Sequence, residues 1–333
     1  MSVLVFIEER SGAPTEDALG VLSKAASLDV PVTAVACGGS AELFAPSLGN
    51  YGARRVIVLQ HRSFAEPLYT LRVDALELIC RRDSIDLLLC PTTALSCDVA
   101  AGLATRLEAG VCWGLVDIEL KDGQFIGKRL AENDALVAEI EWSSVVKIGL
   151  FRPHAIEPIK VNHGDPQVEL LTLDLAPRPA ALRVIETKPS VAADGPSLGT
   201  AEIVVSGGRG LERPENLELI RELASALDGV AGVSLPVVEM GWAPRSMQVG
   251  QTGAVVKPRL YVACGISGQM QHRVGMENSG TIVAINRDAS APIMGFCDLA
   301  VVADLQNVLP RLIALLRRRG EAHGSQQTRV VMG

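Results

Sequence analysis

The sequence predicts an α/β fold in two domains, the first a parallel sheet with an antiparallel extension. Three observations predict it. Short, continuous apolar runs alternate with helical periodicities over residues 3–107, the pattern of strands buried on both faces by crossover helices. After Gly110 the apolar runs shorten and are split by Asp-Gly and Asn-Asp, which are turn signals. Beyond residue 200 the order strand, glycine turn, helix-compatible segment and strand returns.

Val3-Leu4-Val5-Phe6-Ile7 reads as the first parallel strand, followed by a helical face through Ala18, Leu19, Leu22, Ala25 and Ala26. Pro31–Ala36 is the second strand, stopped by Cys37-Gly38-Gly39, and Val56–Leu59 is the third. Leu68–Cys80 carries the next helical face. Ile85–Cys90 is the fourth strand, ending at Pro91-Thr92-Thr93 before a helix over Asp98–Leu107. Val116–Leu120, Gln124–Arg129, Ala135–Ile140 and Val145–Leu150 are predicted as the antiparallel extension. Prolines then crowd the chain at 153, 158, 166, 177 and 179, and Pro189–Thr200 is rich in small residues and breakers. The first domain is therefore set at residues 1–190 and a linker at 191–200.

The second domain, residues 201–320, opens on Ile203-Val204-Val205 and the turn Ser206-Gly207-Gly208-Arg209-Gly210-Leu211. Pro214 suits a first helical position, and Leu217, Ile220, Leu223, Ala224 and Leu227 share one face. Leu260–Cys264 is the next strand, ending in Gly265-Ile266-Ser267-Gly268; a helix-compatible segment leads to Thr281–Ile285, capped by Asn286. Asp298–Val302 is the last strand and Val308–Leu316 the last helix. Arg317-Arg318-Arg319 complements that helix's C-terminal dipole, and residues 321–333 read as a polar tail. This domain is Rossmann-like in build.

The 333 residues suffice for two cores, and 48% hydrophobic with 21% charged residues argues against disorder. A net charge of −7 and only 4% aromatic residues argue against a nucleic-acid partner. No apolar stretch is long enough to insert in a membrane. Seven scattered cysteines with no C-x-x-C pair suit reduced thiols, and no presequence precedes Val3–Ile7, so the chain is expected to be cytoplasmic.

Gly241–Asp288 carries the functional signal. Gln248-Val249-Gly250-Gln251-Thr252-Gly253 packs amides, a hydroxyl and two glycines into six residues, a segment able to press its backbone against a flat polar ring. Gly265-Ile266-Ser267-Gly268 ends a strand where helix N–H groups can meet a phosphate; Ser267 serves either as a cap alone or as cap and phosphate ligand. The glycines around Arg209 serve a tight turn or a ligand, and Arg209 itself is a pyrophosphate clamp or a solvated surface residue. His272 is a structural histidine or one that reaches a flavin carbonyl. Asn286 and Asp304 end strands, where open α/β sheets bind ligands, and otherwise cap loops. There is no Walker lysine, zinc spacing or nucleophile elbow. The expectation is a cradle for a flavin dinucleotide without a catalytic team.

Val205–Leu211, Gly241–Gly253, Leu260–Met276, Ile282–Asp288 and Ala291–Leu305 together resemble the α subunit of electron-transfer flavoproteins, notably in Gln-Val-Gly-Gln-Thr-Gly followed by Gly-Ile-Ser-Gly-x-x-Gln-His. Weaker similarity runs through Leu87–Pro91, Asp98–Leu107, Asp117-Ile118-Glu119 and Arg152–Pro158. The resemblance implies a heterodimer in which this chain carries FAD and a smaller β subunit carries AMP. It implies FAD contacts from Arg209 and Ser234, with Val249, Gly250, Gln251 and Thr252 against the isoalloxazine. Ser267, Gly268, Gln269, Met270 and Gln271 would surround the pyrophosphate and ribityl chain, His272 the flavin O2, and Asn286, Asp304 and Leu305 the adenosine end. The implied job is carrying electrons from flavin dehydrogenases to a quinone reductase or another acceptor, rather than acting on a small substrate.

One departure stands out. The family has Ser-Arg where this chain has Ser234-Leu235, and Asp before Gly-Trp where this chain has Glu239. A unit charge about 4 Å away is worth about 4 kcal/mol at an effective dielectric of about 20. Its loss is expected to lower the flavin potential by on the order of 100 mV, with Arg245, Arg259 and Arg273 as candidates to compensate. Other readings of the same residues are a subunit of a flavoenzyme or of an NADH-linked bifurcating complex, and a degenerate, flavin-free binding module.

Overall fold

The computed structural model describes residues 1–61, 64, 69–132, 136–161, 164–173, 185–186 and 198–327, with side chains through Arg318 in the last helix. The chain divides into two units, Met1–Thr187 and Lys188–Gly333. Pro177, Pro179 and most of the predicted linker lie outside the described residues; Leu198–Thr200 forms one 3-10 turn.

The first unit runs β1 (Val3–Ile7), β2 (Glu9–Arg10), β3 (Ala13–Pro14), α1 (Glu16–Ala26), β4 (Val32–Cys37), α2 (Ala41–Phe44), β5 (Arg55–Gln60), α3 (Tyr69–Arg82), β6 (Leu87–Pro91), α4 (Ala94–Leu107), β7 (Gly110–Lys121), β8 (Gln124–Ala131), β9 (Leu136–Glu141), β10 (Lys147–Phe151) and β11 (Gln167–Thr172). Among the described residues, nine of these strands form one sheet in the order β11-β5-β4-β1-β6-β10-β7-β8-β9. Both faces are covered, so β1 is apolar at every position. Val3, Val5 and Ile7 pack with Val21 and Leu22 of α1, while Leu4 and Phe6 pack with Leu76 and Ile79 of α3 and Leu103 of α4. Thr15 and Thr93 start α1 and α4 by accepting the amides of Ala18 and Ser96 at 3.3 and 3.0 Å, caps worth about 1 kcal/mol each.

The antiparallel extension is real for β7, β8 and β9, and its first turn is made by Asp122 (φ 51°) and Gly123 (φ 78°), the backbone that a tight hairpin demands. It does not include β10. That strand inserts between β6 and β7 and runs parallel to both. Ile148, Leu150 and Phe151 are almost wholly buried, as befits a strand covered on both faces, whereas β9 is half exposed. Gly149 makes room, because a Cβ there would lie 2.7–2.8 Å from Leu115 and Leu89. β11, which the sequence reading did not assign, lies in the proline-rich stretch and adds parallel to β5 at the sheet edge.

The second unit runs β12 (Ile203–Gly207), α5 (Leu217–Ala226), β13 (Val230–Val233), α6 (Leu235–Glu239), β14 (Leu260–Cys264), α7 (Met270–Arg273), β15 (Thr281–Asn286), β16 (Leu299–Val302) and α8 (Leu305–Gln327). The strands pair in parallel in the order β13-β12-β14-β15-β16. On one face Val205, Val262 and Cys264 pack with α5 and α8; on the other Val204, Tyr261 and Ala263 pack with Val249, Val256 and Met276. Two expectations are corrected. The helix after Gly268 is only the four residues of α7, with Gln269 at its N-cap. α8 runs on to Gln327, into the stretch read as a polar tail.

Candidate functional site

The chain leaves β12 to one side to make β13 and returns to the other side to make β14, so the strand order reverses beside β12. Open α/β sheets bind ligands at the carboxyl ends of strands at such a reversal. Here the loops after β12 and β14 run in backbone contact. Gly208 N–H donates to Cys264 O at 2.9 Å and Gly210 N–H to Gly265 O at 3.0 Å. A Cβ on Gly208 would come within 2.4 Å of Gly265 O, so these glycines serve the close approach of two loops.

Above them lies a cleft of about 590 Å³, within the range of cofactor sites. Ten of the predicted residues line it: Arg209, Ser234, Val249, Gly250, Thr252, Ser267, Gln269, Gln271, His272 and Asn286. Five do not. Gln251 is exposed and ties its N–H to Gln271 O at 2.7 Å; Gly268 (φ 78°) packs on Ile293; Met270 sits half-buried in α7. Asp304 accepts the Gln306 amide at 2.8 Å and so caps α8, and Leu305 is buried in the core. The sequence reading passed over Arg287, Asp288 and Ser290, which line the cleft from the loop after β15. Their signal was available: Asp288 and Ser290 form a short hydrogen-bonded turn at a strand's carboxyl end.

The electrostatics differ from end to end. Arg209 is exposed, with no ion pair among the described residues, whereas Arg287 pairs with Glu212. The Ser290 hydroxyl and N–H hold the Asp288 carboxyl below its usual pKa. Asn286 is fixed by donating to Ile266 O at 2.9 Å and accepting from the Asp288 N–H at 3.0 Å. Ser267 is not a helix cap, since α7 begins three residues later; its exposed hydroxyl is left to the cleft.

At the other end polar side chains are buried. His272 is 7% exposed, and its Nε2 meets the Tyr261 hydroxyl at 2.9 Å. Burial pushes the imidazole pKa from 6.5 down to about 4; the Val249 backbone acts in the opposite sense, without a hydrogen bond of normal geometry to the ring. His272 is thus neutral at pH 7, and its buried Nδ1 has no hydrogen-bond partner among the described residues. Gln248, 1% exposed, also lines the cleft and likewise leaves Oε1 unpartnered. Leu235 stands in the lining beside Ser234. None of the three candidate compensating arginines lines the cleft. Arg245 donates to Thr252 O at 3.2 Å, Arg259 faces Glu202 at 4.0 Å, and Arg273 pairs with Glu277 at 3.1 Å.

Two family models match the chain. The electron transfer flavoprotein domain covers residues 3–177, and the electron transfer flavoprotein FAD-binding domain covers residues 197–277. The chain is 33% identical over 326 residues to the electron transfer flavoprotein subunit alpha of Clostridium acetobutylicum, covering 95% of this chain and 96% of that protein. Protein FixB of Clostridium saccharobutylicum is 33% identical over 323 residues, covering 94% and 95%. The subunit alpha of Syntrophomonas wolfei is 33% identical over 314 residues, covering 94% and 98%. With more than half of its length matched by one family model, and relatives a third identical almost from end to end, the chain belongs to the electron transfer flavoprotein alpha-subunit family.

Proposed function

We propose that this chain holds one FAD in the cleft of its second unit and passes electrons between protein partners. The observation that carries this reading is the pair of unpartnered buried groups, Gln248 Oε1 and His272 Nδ1, in a cleft whose other end offers the unpaired Arg209. Buried polar atoms without partners cost about 1–3 kcal/mol each, and a polar ring edge relieves that cost. Arg209, Ser267, Gln269 and Gln271 suit a pyrophosphate and ribityl chain, with Gly268 and Met270 in the adjoining backbone. Ser234, Val249, Gly250, Thr252 and His272 suit the isoalloxazine, with Gln251 in the adjoining backbone. Asn286 suits the adenosine end, with Asp304 and Leu305 one strand further on.

Bound FAD supplies a centre that accepts electrons and gives them up one at a time; the chain binds, orients and shields it. His272 contributes an imidazole dipole at neutral pH, not a resting charge. A β subunit completes the carrier and holds AMP. Trp113, Leu136 and Val137, exposed on β7 and β9, support the first unit as its seat. The donor is a flavin dehydrogenase and the acceptor a quinone reductase or another redox protein. Leu235 leaves that part of the lining without a cation, which supports a flavin potential below that of relatives with arginine there.

The test is co-expression with the β subunit, followed by an absorption spectrum and cofactor quantification by mass spectrometry. One FAD per heterodimer, reduced by a flavin dehydrogenase, is the expected result. A colourless heterodimer that takes up no added FAD refutes the reading.

A further inference from the structure

The loop from Gln248 to Ala254 closes on itself. Val249 N–H donates to Val233 O at 2.8 Å, Gly253 N–H to Gly250 O at 3.0 Å and Ala254 N–H to Gln248 O at 2.7 Å. Gly253 is pressed so near Gln248 that a Cβ on it would lie 2.4 Å from the Gln248 carbonyl oxygen and 2.8 Å from its Cγ. The Gln248 side chain is therefore enclosed, and its Nε2 donates to Thr252 Oγ1 at 2.9 Å while Oε1 has no partner.

A hydroxyl has one proton to give and two lone pairs to accept with. Once Oγ1 receives the Gln248 N–H, the Thr252 proton must seek an acceptor elsewhere, and Thr252 lines the cleft. Turned over, Gln248 would take the Thr252 proton on its oxygen and leave both N–H donors without partners, where the present orientation leaves the oxygen and one N–H. The present orientation is the one that leaves the Thr252 proton for an acceptor in the cleft.

We propose that Gln248 is a positioning residue that fixes Thr252 as a hydrogen-bond donor to the bound isoalloxazine. This rests on the cleft being an FAD site. Gln248 touches Thr252 across four residues of the same loop, so a change at Gln248 reaches the flavin through that hydroxyl.

The experiment is a double-mutant cycle on the full chain co-expressed with its β subunit, using Gln248→Met, Thr252→Val and the double variant. FAD affinity is read by titrating the apoprotein, and the visible flavin band and midpoint potential are read on the loaded form. Each single variant is expected to weaken FAD about tenfold (~1.4 kcal/mol) and to move the flavin band and potential in the same direction. The double variant is expected to be no worse than the weaker single. Additive losses overturn the proposal, because Gln248 then acts independently of Thr252. Should Gln248→Met fail to fold, Thr252→Val at its exposed position still decides: affinity, band and potential equal to wild type overturn the proposal. Wild type that retains and takes up no FAD overturns the cofactor reading and this proposal with it. Wild type that binds FAD with additive variants overturns this proposal alone.

Discussion

Acidification forces a proton onto His272, and the cost of doing so can be worked from its surroundings. The imidazole is buried with its pKa lowered from 6.5 to about 4. Between those values the unfolded chain binds a proton that the folded chain refuses, so this residue's contribution is complete above pH 6.5 and is lost as pH falls towards 4. At pH 5.0 the two pKa values give a loss of about 2 kcal/mol, and at pH 7.5 almost none. His272→Gln removes the titration and keeps a polar side chain. Hydrogen exchange of peptides spanning β14, measured on both full-length proteins at each pH, cancels intrinsic exchange and every carboxylate common to the two. The protection of wild type relative to His272→Gln should fall about thirtyfold from pH 7.5 to 5.0. A ratio that stays constant over that range would show that His272 is not buried neutral, and the account of this end of the cleft would fail.

Leu235→Arg places a cation in the lining and should raise the flavin midpoint potential, by up to on the order of 100 mV; potentiometric titration giving unchanged values would refute a role for this position. Gly275→Ala places a Cβ 2.4 Å from the Gly250 backbone, so it should cost about 1–3 kcal/mol in denaturant unfolding and weaken FAD. Gly39→Ala, with nothing within 4 Å of its Cβ, should stay within about 0.5 kcal/mol of wild type. Burial pushes the Cys37, Cys80 and Cys264 thiols up to about 12, so native alkylation at pH 7.5 should mark only the half-buried Cys97 and Cys297; a labelled Cys264 peptide in the mass spectrum would contradict the packing.

The parallel strands of both sheets were legible where a run is apolar at every position, as in β1, β6 and β14, because burial on both faces leaves no room for polar side chains. β10 is apolar after Lys147, yet its place between β6 and β7 is a pairing between residues far apart in the chain, which no local pattern encodes. β11 was obscured by alternating exposure at an edge and by the prolines around it. The helix after Gly268 has the right residues but little length, since Gly275 must turn against Gly250 to close the site.

The amino-acid sequence alone determined the two-part α/β order, the chemistry offered by residues 248–253 and 265–272, and the leucine that stands at 235. These are properties of composition and near-neighbour spacing. Only the tertiary structure decided that His272 is neutral, that Gln248 braces Thr252 and that Asp304 caps a helix rather than lining the cleft. The reason is physical: desolvation and hydrogen-bond partnership belong to a residue's surroundings, and those surroundings are assembled from β13, β14 and a folded-back loop that meet only in three dimensions.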